Sequence, residues 1–337
     1  MNSFEIVGHS YTISLLSKLA KRKNIPHSFL FTGHAGIGKS TVAALFATVL
    51  NCISTNTDYP CGECVSCIRM HNNNHPDFIF IEPSEGKNKV IPIDRIRELK
   101  HAMKYAPAAG KYRITIIKNA KYMNTEASNA FLKTLEEPPA GNILILTATD
   151  PADLLPTIVS RCQRLAFQLV PDEEIIQWLL KKFQIPLEEA IFIAKKAEGC
   201  PGRAVDLIKA NYYKKHQSWL DYIINIKDIT PDNILDMAES LASSTYEDGE
   251  VNDIFLSWEE WFRDILSVKI NKDTEKNYDN IYPDSMKNHA IFYSFKDLTE
   301  KILLIDNARK ELDGNRNSKL VIQNLLFRLQ DDTRVSY

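Results

Sequence analysis

Residues Gly33-His34-Ala35-Gly36-Ile37-Gly38-Lys39-Ser40 match the pattern G-x-x-x-x-G-K-S/T in full. A short apolar run, Ser28 to Thr32, leads into them, and a stretch of small and apolar residues from Lys39 to Leu50 follows. Strand, glycine-rich loop and helix in this order let backbone N–H groups cradle phosphate oxygens. The arrangement also constrains the fold, because such a unit belongs to a parallel sheet covered by helices. Gly33, Gly36 and Gly38 would bring the main chain close to the phosphates, and Ile37 and Thr41 complete the nucleotide-contacting run. Lys39 would reach the β- and γ-phosphates, the Ser40 hydroxyl would ligate Mg2+, and the helix start would add its positive end. Two other readings compete: a glycine-rich turn without nucleotide, and a loop kept in shape but empty.

Hydrolysis needs an acid at the end of a neighbouring strand. The apolar strand Arg113 to Ile117 ends instead in Lys118-Asn119. A lysine puts positive charge where a carboxylate should serve Mg2+, and an asparagine takes no proton from water. Asp77 and Glu82, flanking the run Asp77 to Glu82, are the alternative acids. The chain is therefore expected to hold a nucleotide, ATP or ADP with Mg2+, and not to hydrolyse it.

Strand signals at 28–32, 77–82, 113–117 and 142–149 are separated by helix signals. Asp94 is expected to cap a helix running to about Tyr105, and Pro138-Pro139 to stop one from Asn124 to Glu137. Three short helices follow at 172–183, 187–197 and 202–210. Beyond Tyr212 the pattern is helical, near 214–227, 231–244, 250–270, 294–313 and 317–330, with a polar loop expected over 271–288. Trp258 and Trp261 with Phe255, Phe262, Ile265 and Leu266 mark a helix whose apolar surface is buried within the bundle or against other subunits. The fold class is thus α/β followed by all-α.

Over 337 residues, net charge is −2, with 44% apolar and 25% charged residues. Bulk charge gives no pull toward nucleic acid or acidic lipid. The first residues lack a leader pattern and no run approaches the roughly 18 apolar residues of a membrane helix, so a cytoplasmic location and no membrane partner are expected.

Cys52, Cys61, Cys64 and Cys67 form a cluster, with Cys162 and Cys200 apart. In a reducing compartment four thiolates at this spacing suit a closed tetrahedral zinc site, which is structural. An iron–sulfur cluster uses similar ligands, and free thiols are the third reading. His71 and His75 are read as bystanders, and Cys162 and Cys200 as inert.

Further strings carry a resemblance: His27-Ser28-Phe29-Leu30-Phe31-Thr32-Gly33, Asn129 to Pro139 with Leu135-Glu136-Glu137-Pro138-Pro139, Thr149-Asp150-Pro151, and Ser160-Arg161-Cys162. With these, residues 4–210 resemble the clamp-loader subunits of bacterial DNA polymerase III, and the likeness thins beyond. It implies an AAA+ P-loop NTPase sheet over 1–167 with an inserted zinc module (52–67), a small helical lid domain over 168–211 and a helical collar domain for oligomerisation over 212–337. It implies that Arg161 is an arginine finger given in trans to a neighbour's ATP, against a bare salt bridge. Thr149 resembles a first sensor, Arg203 a second sensor or a packing cap, and Ile6-Val7-Gly8-His9 the stretch along the adenine. Motor subunits (gamma/tau) carry Asp-Glu where this chain has Lys118-Asn119, and the accessory delta-prime branch often lacks the pair and has no long tau-type tail. The implied partners are gamma/tau and delta subunits, and, through the complex, the sliding clamp and primed DNA. The competing readings are a self-sufficient motor of the same family and an AAA+ protein outside replication.

Overall fold

Four strands of the first half are near-continuous apolar runs of four to seven residues, as strands covered on both faces require. The computed structural model describes residues 6–22, 24–54, 60–86, 88–244, 250–270, 282–314 and 316–331. The chain divides into two compact units, Met1–Leu207 and Ile208–Tyr337.

In the first unit the order is α1 (Ser10–Ala20), β1 (Ser28–Thr32), α2 (Lys39–Asn51), α3 (Val65–His71), β2 (Phe78–Ile81), α4 (Ile93–Met103), β3 (Arg113–Ile117), α5 (Thr125–Glu136), β4 (Asn142–Ala148), α6 (Pro156–Val159), β5 (Gln163–Ala166), α7 (Asp172–Phe183), α8 (Leu187–Ala197) and α9 (Pro201–Lys209). Helices α7 and α8 fall in the same unit as the sheet, and the division between the units runs through α9. The sheet order is β2-β3-β4-β1-β5 and every pairing is parallel. Alternate side chains along a strand face opposite sides. Phe29, Phe31, Ile114, Ile116, Ile143 and Ile145 therefore pack with Leu16 and Leu19 of α1 and Phe46 and Leu50 of α2. Leu30, Ile117, Leu144 and Leu146 pack on the other face with Ile96 and Leu99 of α4 and Phe131 and Leu135 of α5. Because all strands run one way, their carboxyl ends share one edge of the sheet, where ligands of open α/β sheets bind. Gly33, Glu82, Lys118 and Thr149 lie at that edge. Ser28, Asp77 and Arg113 lie at the opposite one.

Three expectations are corrected. Helix α4 starts at Ile93 with Pro92 as its N-cap, so Asp94 sits inside the first turn and pairs with Arg97 at 3.0 Å instead of capping. The sequence carries no strand signal at β5, because only Leu165 of its four residues is buried; it pairs with β1 alone, at the sheet edge. Part of the loop expected over 271–288 is helical: Pro283 opens α13, a position where its missing N–H costs nothing. Its polar composition hides a narrow buried face of Met286 and Ala290. Residues 271–281 lie outside the described residues. Neither α1 nor α3 is among the elements expected from the sequence.

The second unit consists of α10 (Tyr212–Ile224), α11 (Pro231–Ser244), α12 (Glu250–Ile270), α13 (Pro283–Phe292), α14 (Phe295–Asp313) and α15 (Ser318–Gln330). Its core centres on Phe255, Trp258, Phe262, Ile305 and Leu326. The buried Trp258 indole donates to the Trp219 carbonyl at 2.7 Å, which satisfies its one polar atom. Buried Glu259 is paired with Arg263 and Arg309. Among the described residues no helix is long and apolar enough to cross a membrane.

Candidate functional site

The glycine-rich loop sits at the carboxyl end of β1. Its first amide, Gly33 N–H, donates to Thr149 O at 3.1 Å, so the loop is tied to the end of β4. Thr149 itself is exposed. The Lys39 side chain is buried and folds back over the loop, donating to Gly33 O at 2.6 Å and His34 O at 2.7 Å. Burial pushes its ammonium down to about 8, against a small opposing contribution from Cys200. A phosphate would offer this lysine better acceptors than two carbonyls, since hydrogen bonds between charged partners are shorter and stronger. Ser40 and Thr41 occupy the first turn of α2. The imidazole Nε2 of His9 lies 2.7 Å from Ile37 O, and the ring packs edge-on against Phe167. The segment expected along the adenine thus braces the loop through His9.

The start of α9 presses onto the loop. Gly202 N–H donates to Gly36 O at 2.7 Å. A Cβ on Gly202 would stand 2.7 Å from that oxygen, and Gly36 has φ +76°. Both positions therefore exclude larger residues, one by contact and one by conformation. Arg203 turns aside and pairs with Glu198 at 2.6 Å. Cys200 is buried with its thiol pushed up by burial, and Lys39 and Arg203 are its charged neighbours. The structure thus brings Gly36, Lys39, Cys200 and Gly202 together.

At the end of β3, Lys118 Nζ reaches Glu82 Oε1 at 2.8 Å. Asn119 adopts φ 50°, a left-handed conformation that asparagine tolerates, and its N–H donates to Thr147 Oγ1. Asp77 is no substitute acid, because it lies at the opposite edge of the sheet from the loop. It is fully buried and accepts N–H bonds from Ala108, Ala109 and Gly110, each at 2.7 Å, with Arg113 at 3.3 Å. Burial alone would raise its pKa, but the three amides and the guanidinium outweigh this and hold it below 3.8. Arg113 also donates to Ala102, Tyr105 and Ala106 carbonyls. Next to this hub, Asn51 and Tyr112 exchange a pair of hydrogen bonds at 2.8 and 2.9 Å.

Arg161 stands where the chain turns from α6 into β5. The buried Ser28 hydroxyl donates to its carbonyl at 2.6 Å. Ser28 opens β1 and Gly33 follows its end. A five-residue strand rises about 3.3 Å per residue, so the Arg161 main chain lies about 15 Å from its own phosphate loop. The guanidinium pairs with Glu136 at 2.7 Å and donates to Thr157 O at 3.0 Å. Sequence reasoning missed Glu136; its place in the Leu135-Glu136-Glu137-Pro138-Pro139 string was the available signal.

The four clustered thiols converge. Their sulfur atoms all lie within 4.8 Å of one another, with Cys52–Cys61 at 3.7 Å and Cys61–Cys67 at 3.9 Å. A tetrahedron with Zn–S bonds of about 2.3 Å has edges of about 3.8 Å, so the set fits zinc. Cys64 N–H donates to Cys61 Sγ and Cys67 N–H to Cys64 Sγ, contacts that favour thiolates. Backbone amides of Glu63 and Cys64 bring the Cys61 thiol down to about 6. His75 is engaged elsewhere: Nδ1 accepts Asp77 N–H and Nε2 faces Ser66 Oγ at 3.2 Å.

Residues 8–171 match the profile of a family described as "DNA polymerase III, delta subunit". The chain is 27% identical over 331 residues to DNA polymerase III subunit delta' of Bacillus subtilis, covering 95% of each. It is 34% identical over 209 residues to subunit tau of the same organism, covering 60% of this chain and 36% of that one. It is 35% identical over 178 residues to subunit delta' of Pseudomonas aeruginosa, covering 53% and 54%. The chain thus spans about a third of the tau relative's length and nearly all of the Bacillus delta' relative. The chain is thus similar to the clamp-loader subunits of DNA polymerase III, through the profile over residues 8–171 and through relatives of both the delta' and the tau kind.

Proposed function

We propose that the chain is an accessory, delta-prime-type subunit of the DNA polymerase III clamp loader. It assembles with gamma/tau and delta subunits so that the complex loads the sliding clamp on primed DNA. The observation that carries this reading is the separation of the two functional ends of β1. The phosphate loop is at one end with Lys118 paired to Glu82 beside it, and Arg161 is at the other. An arginine so placed is out of reach of its own loop and suited to a phosphoryl group held by a neighbouring subunit, where it offsets charge developing in the transition state. The loop binds ATP or ADP through Gly33, Gly36, Ile37, Gly38, Lys39, Ser40 and Thr41, with Mg2+ on Ser40, and does not turn it over. Thr149 and Arg203 act as its sensors, Arg203 once released from Glu198. Zn2+ on Cys52, Cys61, Cys64 and Cys67 fixes the fold of the insertion, and 212–337 forms the oligomerisation collar.

The test is a reconstituted loader. Arg161→Ala should lower its DNA-dependent ATPase about a thousandfold at the neighbour's site while the subunits still co-elute. Failure of the wild-type chain to join the complex sinks the proposal. The intact loop favours a second reading, a self-sufficient gamma/tau-like motor. ATP turnover by the isolated chain that disappears in Lys39→Ala would establish that reading instead.

A further inference from the structure

We propose that Glu136 is a positioning residue for Arg161, holding the guanidinium in the orientation it presents to a neighbouring subunit. This rests on the reading of Arg161 as a group acting in trans.

Arg161 is fixed at three points. Its carbonyl is held by the Ser28 hydroxyl. One guanidinium nitrogen donates to Thr157 O at 3.0 Å and contacts Ser160 Oγ at 3.4 Å. The other meets the Glu136 carboxylate at 2.7 Å. The anchor from β1 sets the main chain, and the contacts within Arg161's own turn hold one side of the guanidinium. Among the described residues Glu136, the last residue of α5, holds the other side of the guanidinium from an element outside Arg161's own turn. Without it the guanidinium keeps only contacts from its own turn and can pivot about them, and the rotamer freedom of a long arginine is then lost on engagement.

The pair has little to do for stability. Both side chains are substantially exposed, 35% for Arg161 and 48% for Glu136, and exposed pairs contribute little to stability. The guanidinium has five N–H donors, and these contacts occupy three of them, so donors remain for a phosphoryl oxygen while the brace is in place. A group held before the reaction avoids the ordering cost at the moment of reaction.

The experiment compares reconstituted loaders carrying wild type, Glu136→Ala, Glu136→Gln, Arg161→Ala and the double variant Glu136→Ala/Arg161→Ala. It reads kcat and KM for ATP with primed DNA present, and assembly by size-exclusion chromatography. Glu136→Ala should lower kcat about ten- to a hundredfold, leave KM for ATP and assembly unchanged, and be partly rescued in Glu136→Gln, whose amide oxygen still accepts a hydrogen bond. The double variant should be no slower than Arg161→Ala, because Glu136 acts only through Arg161. A Glu136→Ala kcat within about twofold of wild type, beside a slow Arg161→Ala, overturns this inference alone. A double variant slower than Arg161→Ala also overturns it, since Glu136 would then act independently. An Arg161→Ala loader with wild-type kcat overturns the trans-acting reading itself.

Discussion

Lys118 and Glu82 close an ion pair of 2.8 Å across the ends of β3 and β2, at the edge of the sheet that carries the phosphate loop. The lysine is therefore engaged with its neighbour strand and puts no carboxylate at the metal's side of a bound triphosphate. Lys118→Asp should create a Mg2+-dependent gain in ATP affinity of about tenfold, roughly 1.4 kcal/mol. Isothermal titration with and without Mg2+ measures it. Stability should change by less than about 1 kcal/mol, because the pair is exposed. An unchanged Mg2+ dependence would show that position 118 does not face the nucleotide.

Lys39 predicts a proton linkage. Its ammonium lies at about 8, below the ordinary 10.5, because burial disfavours the charge. A phosphate arriving beside it favours the charged form and raises that value. Nucleotide binding at pH 8.5 should therefore take up a proton, and at pH 7, where the lysine is already charged, it should take up almost none. Binding enthalpies in buffers of different ionisation heat read the difference, and Lys39→Ala should abolish it. Folding of the free protein has the opposite sign, because it releases a proton from Lys39. Between about 8 and 10.5 the unfolded chain binds more protons than the folded one, so Lys39 makes stability rise with pH across that window.

Asp77 predicts a large stability effect far from any ligand. Asp77→Ala leaves the buried Arg113 guanidinium without its counter-ion and three amides without their acceptor. Breaking a buried pair from one side costs about 3–5 kcal/mol, to be measured by urea unfolding. Its folded pKa lies below 3.8, so its contribution is present above that value and lost as pH falls through the lower one. The gap between variant and wild type should narrow in acid.

The four thiols predict about one zinc ion per chain by atomic emission, lost in Cys61→Ser or after chelation. Proteolysis should then open the 52–75 stretch and leave ATP binding intact. A brown chromophore with iron in place of zinc would overturn the assignment.

The glycine-rich loop, the four-cysteine cluster and most helices were legible because their signals are local. Gly33 to Ser40 carries its spacing within one turn, and α7, α8, α11 and α12 fall at the expected residues because their apolar periodicity is strong. What escaped depends on partners distant in sequence. Strand β5 has one buried side chain and exists because β1 offers it an edge. The role of Asp77 is set by amides more than thirty residues away. The Glu136 brace joins two strings that sequence inspection marks separately. For Arg203, the sequence names the residue and the fold aims its side chain at Glu198.

Both ends of the cysteine-bearing insertion are fastened to the same short stretch, 108–112. Asn51 is bound to Tyr112, and Asp77, just beyond His75, takes the amides of Ala108, Ala109 and Gly110. The segment between these two rivets leaves the end of α2 and comes back into β2 close to the same 108–112 stretch. It is a cassette: replaced by a short turn, or lengthened, it need not disturb β1, β3 or the loop between β1 and α2. A chain whose four-cysteine segment is replaced by a short turn should therefore keep its parallel sheet and the β1–α2 loop intact.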